Sequence, residues 1–297
     1  MRISKTFIRI LVLFLVAVGV LGSVLYLALF HAPYRTARDE SISGLMLGNR
    51  TFAGTITVTG DVWLAGNLKI LPGTKVQFRI GDDQNGGDEI EADGYNDLDP
   101  ARLDSYTKTH GGMTILGKIE AIGTDSAPIT FTSASPAPRL ADWESFVFSG
   151  DGSVLEHIIV EYSRNGMNPV SSQPNSVVRD SIFRHNLWSG PSLSNSGMTI
   201  LDSDISDSGH EGVDVQSGYA VIKSNYIHDV HAGIVVVSGS ADIENNVMEN
   251  VSDGIALGPG VKVVDKNNKV ILAPPDSKLK WCYQNFCYGM FESGLIH

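Results

Sequence analysis

The sequence predicts an all-β chain, a single parallel β-solenoid preceded by one N-terminal transmembrane helix. Two observations carry that prediction. A glycine recurs at Gly166, Gly190, Gly212, Gly233 and Gly254, at spacings of 24, 22, 21 and 21 residues. Far upstream stands an uncharged run of 21 residues, Ile10 to Phe30.

In chain order, the uncharged run comes first. A helix rising about 1.5 Å per residue over such a run spans a hydrocarbon core of roughly 30 Å. Arg2, Lys5 and Arg9 precede it, so the N-terminus is expected in the cytoplasm and the rest outside. The competing reading is a cleaved signal peptide, whose apolar region is shorter, about 7–15 residues, and ends at a small-x-small site. "LALFHAPY" offers no such site. Gly19 and Ser23 form a small-xxx-small pair suited to seating a neighbouring helix. Residues 1–30 are therefore read as stub and anchor, and 31–50 as a linker. The expected protein is single-pass in the cell membrane, with its main domain in the periplasm or outside the cell.

The repeat follows, over residues 51–276. Seven positions before each glycine stand Ile159, Phe183, Ile205, Tyr226 and Val247. Eleven before it stand Leu155, Leu201, Ile222 and Ile243, with Arg179 breaking the column beside Val178. After it Val213 and Val215, Ile234 and Val236, and Ile255 and Leu257 alternate as a strand does. A unit of this length cannot bury an apolar side alone. Stacked on its neighbours about 4.8 Å apart, it buries that side and satisfies its backbone groups. Asn225 and Asn246, with Asp204 placed in register, are expected to form a polar ladder at a bend.

The upstream phrases "LKILPGTKVQF", "GKIEAIGTDSAPITFTSA" and "ESFVFSGDGSVLEHIIVEYS" fit the same plan. Here the chain resembles the right-handed parallel β-helix repeat proteins, which share the fold of pectin lyase. That resemblance implies a single right-handed parallel β-helix. It also opens a range of roles, from polysaccharide lyases, hydrolases and epimerases to adhesins.

Chemistry has few places to sit. The insertion at 81–110 holds Asp82, Asp83, Asp88, Asp93, Asp97 and Asp99, an oxygen-rich, Gly-punctuated loop suited to Ca²⁺ or simply to water. A second cluster gathers Asp202, Asp204, Asp207, His210, Glu211 and Asp214 from one coil and His228, Asp229 and His231 from the next, with Asp202, Asp204, Asp214, His210 and His231 as the catalytic candidates. His210 and His231 both stand two residues before their glycine, so stacking should place one above the other. Paired carboxyls of this kind suit glycoside hydrolysis, while Asp, Ser and His are also ordinary turn residues. A lyase of the resembling fold would need a Lys or Arg base, and Lys223 is the cation nearest this cluster in sequence. Cys282 and Cys287, the only cysteines, are expected to form a disulfide in an aromatic cap over 277–297. Two acceptor patterns for glycosylation occur, at Asn49 and Asn250.

The formal net charge of −11 argues against nucleic acid as a partner. The leading expectation is a non-catalytic scaffold or interaction subunit binding a membrane or periplasmic protein, or a glycan. The alternative is a membrane-tethered carbohydrate-active enzyme.

Overall fold

Stacking is what the repeat demands, and stacking is what the chain does. In the computed structural model each coil lays short strands in parallel register on the coils before and after it. The result is one β-solenoid of about nine turns, interrupted in sequence by the insertion and followed by the C-terminal segment. The structure describes residues 5–80, 110–171 and 174–274, together with the backbone of 282–283 and 286–287.

The interior is a set of continuous columns. Leu155, Val178, Ile200, Ile222 and Ile243 form one; Val160, Phe183, Ile205, Ile227 and Met248 form another. All are fully buried. The first coils pack aromatics instead: Phe78 stacks on Trp143 with ring centroids 4.0 Å apart, and Phe131 on Phe146 at 4.4 Å. A coil closes its core because β-branched and aromatic side chains repeat at one height per rung.

The repeating glycine is a matter of space. A Cβ on Gly233 would sit 2.6 Å from the sulfur of Met248 and 2.7 Å from the carbonyl oxygen of Gly254, the next glycine down. Only a residue without a side chain admits that approach.

Counting back from the glycine puts two columns out of register. The residues paired across the second strand are Ile159, Ile182, Asp204, Tyr226 and Val247, and this column points outward. Ile159, Tyr226 and Val247 are thus not core partners of Phe183 and Ile205, nor is Leu201 the core partner of Ile222. The bend before the glycine explains the slip. In two coils it breaks the chain, between Ile182–Arg184 and Ser189–Leu193 and between Asp204–Ser206 and Glu211–Val215, whereas Tyr226–Val236 runs straight through, one residue shorter. A one-residue shift exchanges inward for outward faces.

The same slip corrects the ladder. Asn225 stands over Ser203, not Asp204, and the column runs Ser181, Ser203, Asn225, Asn246, Asn268. Each backbone N–H donates to the next side-chain oxygen. The Asn225 and Asn246 amides donate back to the carbonyls of Ile200 and Ile222.

The N-terminal stretch also departs from expectation. Strand Arg35–Leu47 occupies most of the stretch read as a linker and pairs in parallel with Arg50–Ala65. Helix Lys5–Phe30 is bound to the solenoid at its C-terminal end. Asn49 donates through Nδ2 to the carbonyls of Phe30 (3.2 Å) and Ala32 (2.7 Å), and Asn67 donates to Phe30 at 3.0 Å. These amides cap carbonyls that a helix end leaves open. With Asn49 buried at 2 % exposure and its amide so engaged, its glycosylation pattern is unavailable for modification in the folded chain.

Among the described residues no helix is long and apolar enough to cross a membrane. The helix side chains described begin at Phe14, and from there to Tyr26 the large apolar ones, including Phe14, Leu21 and Leu25, are exposed.

Candidate functional site

The coil spanning 199–215 carries the predicted acidic residues at a corner and on two different strands, so Asp202, Asp204 and Asp214 do not converge. Asp202 is an exposed corner residue at φ 47°, in a column of left-handed corners with His157, Asp180, Ser224, Asn245 and Asn267. A second corner column holds Tyr162, His185, Asp207, Asp229 and Asn250. Asp and Asn are the residues that tolerate this backbone, so much of the acidic density is corner chemistry.

Asp204 belongs to a clamp between coils. Its Oδ1 lies 3.3 Å from His228 Nε2, while His228 Nδ1 lies 2.6 Å from Asp229 Oδ2. The Asn250 amide donates to the other oxygen of Asp229. Tyr226 stacks on His228 with centroids 4.4 Å apart and donates to Glu249 at 2.9 Å. Burial lowers the His228 pKa, yet the two carboxylates overcome it and the net shift is upward. Lys223 is engaged elsewhere, 3.3 Å from Glu244.

The third column is different. The outer side of strand Glu211–Val215 gathers Asp214, Glu211 and the two predicted histidines. His210 and His231 do stack, since Glu211 pairs with Ala232 and the Ala232 N–H donates to the His210 carbonyl at 3.0 Å. Trp188 sits one rung away, its ring centroid 5.3 Å from that of His210. His210 Nδ1 meets the Glu211 carboxylate.

Asp214 is only 6 % exposed. Its Oδ2 accepts from Gln216 Nε2 at 2.6 Å and from Ser192 Oγ at 3.1 Å, while Oδ1 is buried with no hydrogen-bond partner. Burial pushes the Asp214 pKa up to about 6, Glu211 adds to the rise, and the two hydrogen bonds and His210 oppose it. Burial pulls the His231 pKa down, and His210 adds to the fall against the pull of Asp253 and Glu211. One sheet face thus holds a carboxyl that takes a proton near neutrality beside groups able to accept one, the arrangement acid–base chemistry requires. Glu211 stood in the acidic cluster read from the sequence but was not among the residues singled out there as catalytic candidates. A Glu next to the repeating glycine was the available signal.

A further group was not anticipated. Glu156, His157 and Asp180 bring ligand-type atoms within 4.8 Å of one another. Asp125 Oδ1 lies 3.1 Å from His157 Nδ1, and Arg179 donates to Glu156 at 2.7 Å, so a side-chain cation already balances part of the charge.

The calcium candidates Asp82, Asp83, Asp88, Asp93, Asp97 and Asp99 lie outside the described residues. Cys282 and Cys287 stand directly opposite each other in a two-stranded antiparallel pair. Ser23 donates its hydroxyl to the carbonyl of Gly19 at 2.9 Å, within its own helix.

Against known families, residues 143–273 match the family model described as right handed beta helix region. Among solved structures the chain is similar to the crystal structure of the periplasmic alginate epimerase AlgG, at TM-score 0.40 and 11 % identity, over 77 % of this chain and 76 % of that one. No curated protein matches the chain.

Proposed function

We propose that this chain is a membrane-tethered enzyme that works by acid–base chemistry on an extended saccharide, at the sheet face bearing Asp214, Glu211, His210 and His231. One observation carries the reading: a carboxyl is buried there, with one oxygen unpartnered and its pKa raised to about 6. Burying an ionisable group without full pairing destabilises a fold, and such groups concentrate where their titration is used. Asp214 is the proton donor in this reading. Glu211 and its partner His210 form the accepting side, and His231 stays neutral above it. A parallel stack repeats every 4.8 Å or so, which suits a linear polymer lying across successive rungs.

The tether is the helix Lys5–Phe30. Its exposed apolar side chains, and Arg2, Lys5 and Arg9 ahead of its uncharged run, favour a cytoplasmic N-terminus and an external solenoid.

The test is to incubate the purified full chain in mild detergent with a panel of neutral and acidic polysaccharides. Products are then scored for new reducing ends, unsaturated sugars or inverted uronates. Turnover that falls at least about a hundred-fold in Asp214→Asn, the scale of a lost general acid, supports the reading. Turnover unchanged by that substitution refutes the site.

A second reading, a non-catalytic interaction subunit, is favoured by a separate feature. Val264, Val270 and Leu272 are exposed on the last described coil and Leu257 on the coil before it. Stoichiometric co-purification of one partner, lost when Val264 and Leu272 are changed to Ser, would support it.

A further inference from the structure

The outer face of the first coils is apolar where a water-facing sheet would be polar. Leu45 is 70 % exposed, Leu47 55 %, Trp63 52 % and Leu116 49 %. Each alternates with a core-facing neighbour: Met46 packs against the core, and Val62, Leu64 and Ile115 are buried. Leu45 pairs directly with Trp63, and Leu47 with Ala65. Leu116 takes the next rung, its N–H donating to the Leu64 carbonyl at 2.9 Å. The four side chains therefore form one patch across three rungs.

The patch adjoins the end of the exposed apolar helix. Leu47 is followed by Gly48 and Asn49, and Asn49 binds the Phe30 and Ala32 carbonyls. A Cβ on Gly48 would lie 3.8 Å from the carbonyl oxygen of Ala28, in the last turn of the helix. Asn67, close after Trp63, binds Phe30 as well and accepts from the N–H of Lys118, close after Leu116. Arg50 donates to the Gly48 and Asn49 carbonyls beside this junction. The helix end is thus bound on two successive rungs of the patch, and its position relative to the patch is set by hydrogen bonds.

Farther from the helix the same face changes character. The Leu45–Trp63 column continues through Thr114 and Val147 to Asn168, Ser192 and Asp214. The column runs on from Asp214 to Val235 and Ala256, but Val235 is buried, so the exposed large apolar side chains of this column are those on the rungs nearest the helix.

We infer that Leu45, Leu47, Trp63 and Leu116 form a membrane-contacting foot, which rests on the interfacial layer of the bilayer that the helix enters. The inference rests on the tether proposed above. Tryptophan suits the depth where hydrocarbon meets headgroups, and the aliphatic neighbours gain by leaving water. Asn49 and Asn67 hold foot and helix together, so the solenoid stands in one orientation on the lipid.

The test uses the full chain reconstituted into phosphatidylcholine–phosphatidylglycerol vesicles, with either ordinary lipid or lipid brominated high on the acyl chain. Trp143 is buried and Trp188 half-buried, and Trp63→Phe supplies the emission of every other tryptophan as the background to subtract. The expected result is bromine quenching of the wild-type emission that is largely absent in Trp63→Phe. Equal quenching in the two proteins, with the chain still in the vesicle pellet after alkaline carbonate, overturns the foot and leaves the tether standing. Release of the chain by carbonate overturns both. As a second variant, Leu45, Leu47 and Leu116 all changed to Ser should lose most of the Trp63 quenching while melting at the wild-type temperature.

Discussion

At the scale of the residue, the burial of Asp214 that underlies the proposed site also carries a stability cost. Its pKa stands near 6 in the folded chain against 3.8 for an ordinary aspartate. The folded state therefore holds a proton that the unfolded state gives up as pH rises from about 4 to 6, and stability falls over that window. The loss amounts to about 3 kcal/mol by neutral pH, at 1.36 kcal/mol per pKa unit. Asp214→Asn keeps an oxygen to accept from Gln216 and Ser192 and removes the charge. Urea unfolding between pH 4 and 7 should then show a flatter profile and a gain of up to about 3 kcal/mol at pH 7. A variant no more stable than wild type at pH 7 would mean that the carboxyl is paired. Such a gain alongside lost turnover is the trade between stability and activity expected of a working site.

At the scale of the element, the solenoid is held at its corners as much as in its core. Asn246 accepts from the Asn225 N–H at 3.0 Å and donates to the Ile222 carbonyl at 2.9 Å, fully buried. Asn246→Ala leaves both groups without partners, each costing about 1–3 kcal/mol when buried. Equilibrium denaturation should register a loss of about 2–5 kcal/mol. A loss under 1 kcal/mol would show that water replaces the ladder. The repeat, its glycines and the Asn225–Asn246 part of the polar ladder were legible in the sequence because each recurs by residue type. The register of Tyr226 and Asp204 was not. One bend differs by a single residue between coils, and only the pairing of strands says where it was absorbed.

At the scale of the whole molecule, each rung touches only its neighbours, so stability is local and varies along the stack. Ile243 and Met248 are fully buried, whereas Lys269–Leu272 on the last described coil is exposed throughout. Native-state hydrogen exchange should therefore find the amides of Lys269–Leu272 exchanging at least about a hundred-fold faster than those of Ile243 and Met248, as expected of a low-stability end. Uniform protection would mean that the stack opens as one unit.

The sequence by itself determined the architecture. Spacing, β-branched columns and side-chain-free positions are one-dimensional properties, and a stack repeats them one rung at a time. It also marked His210 and His231 as neighbours, because both keep the same offset from a glycine. Only the tertiary structure decided which acidic residues share a face. Asp202, Asp204 and Asp214 lie within one coil yet face three directions, since two corners turn the chain between them. Tertiary structure likewise placed Leu45, Trp63 and Leu116 together from distant positions in the chain. The physical reason is the same in both cases: periodicity reports the height of a residue in the stack, while its direction depends on where each bend takes up its residues.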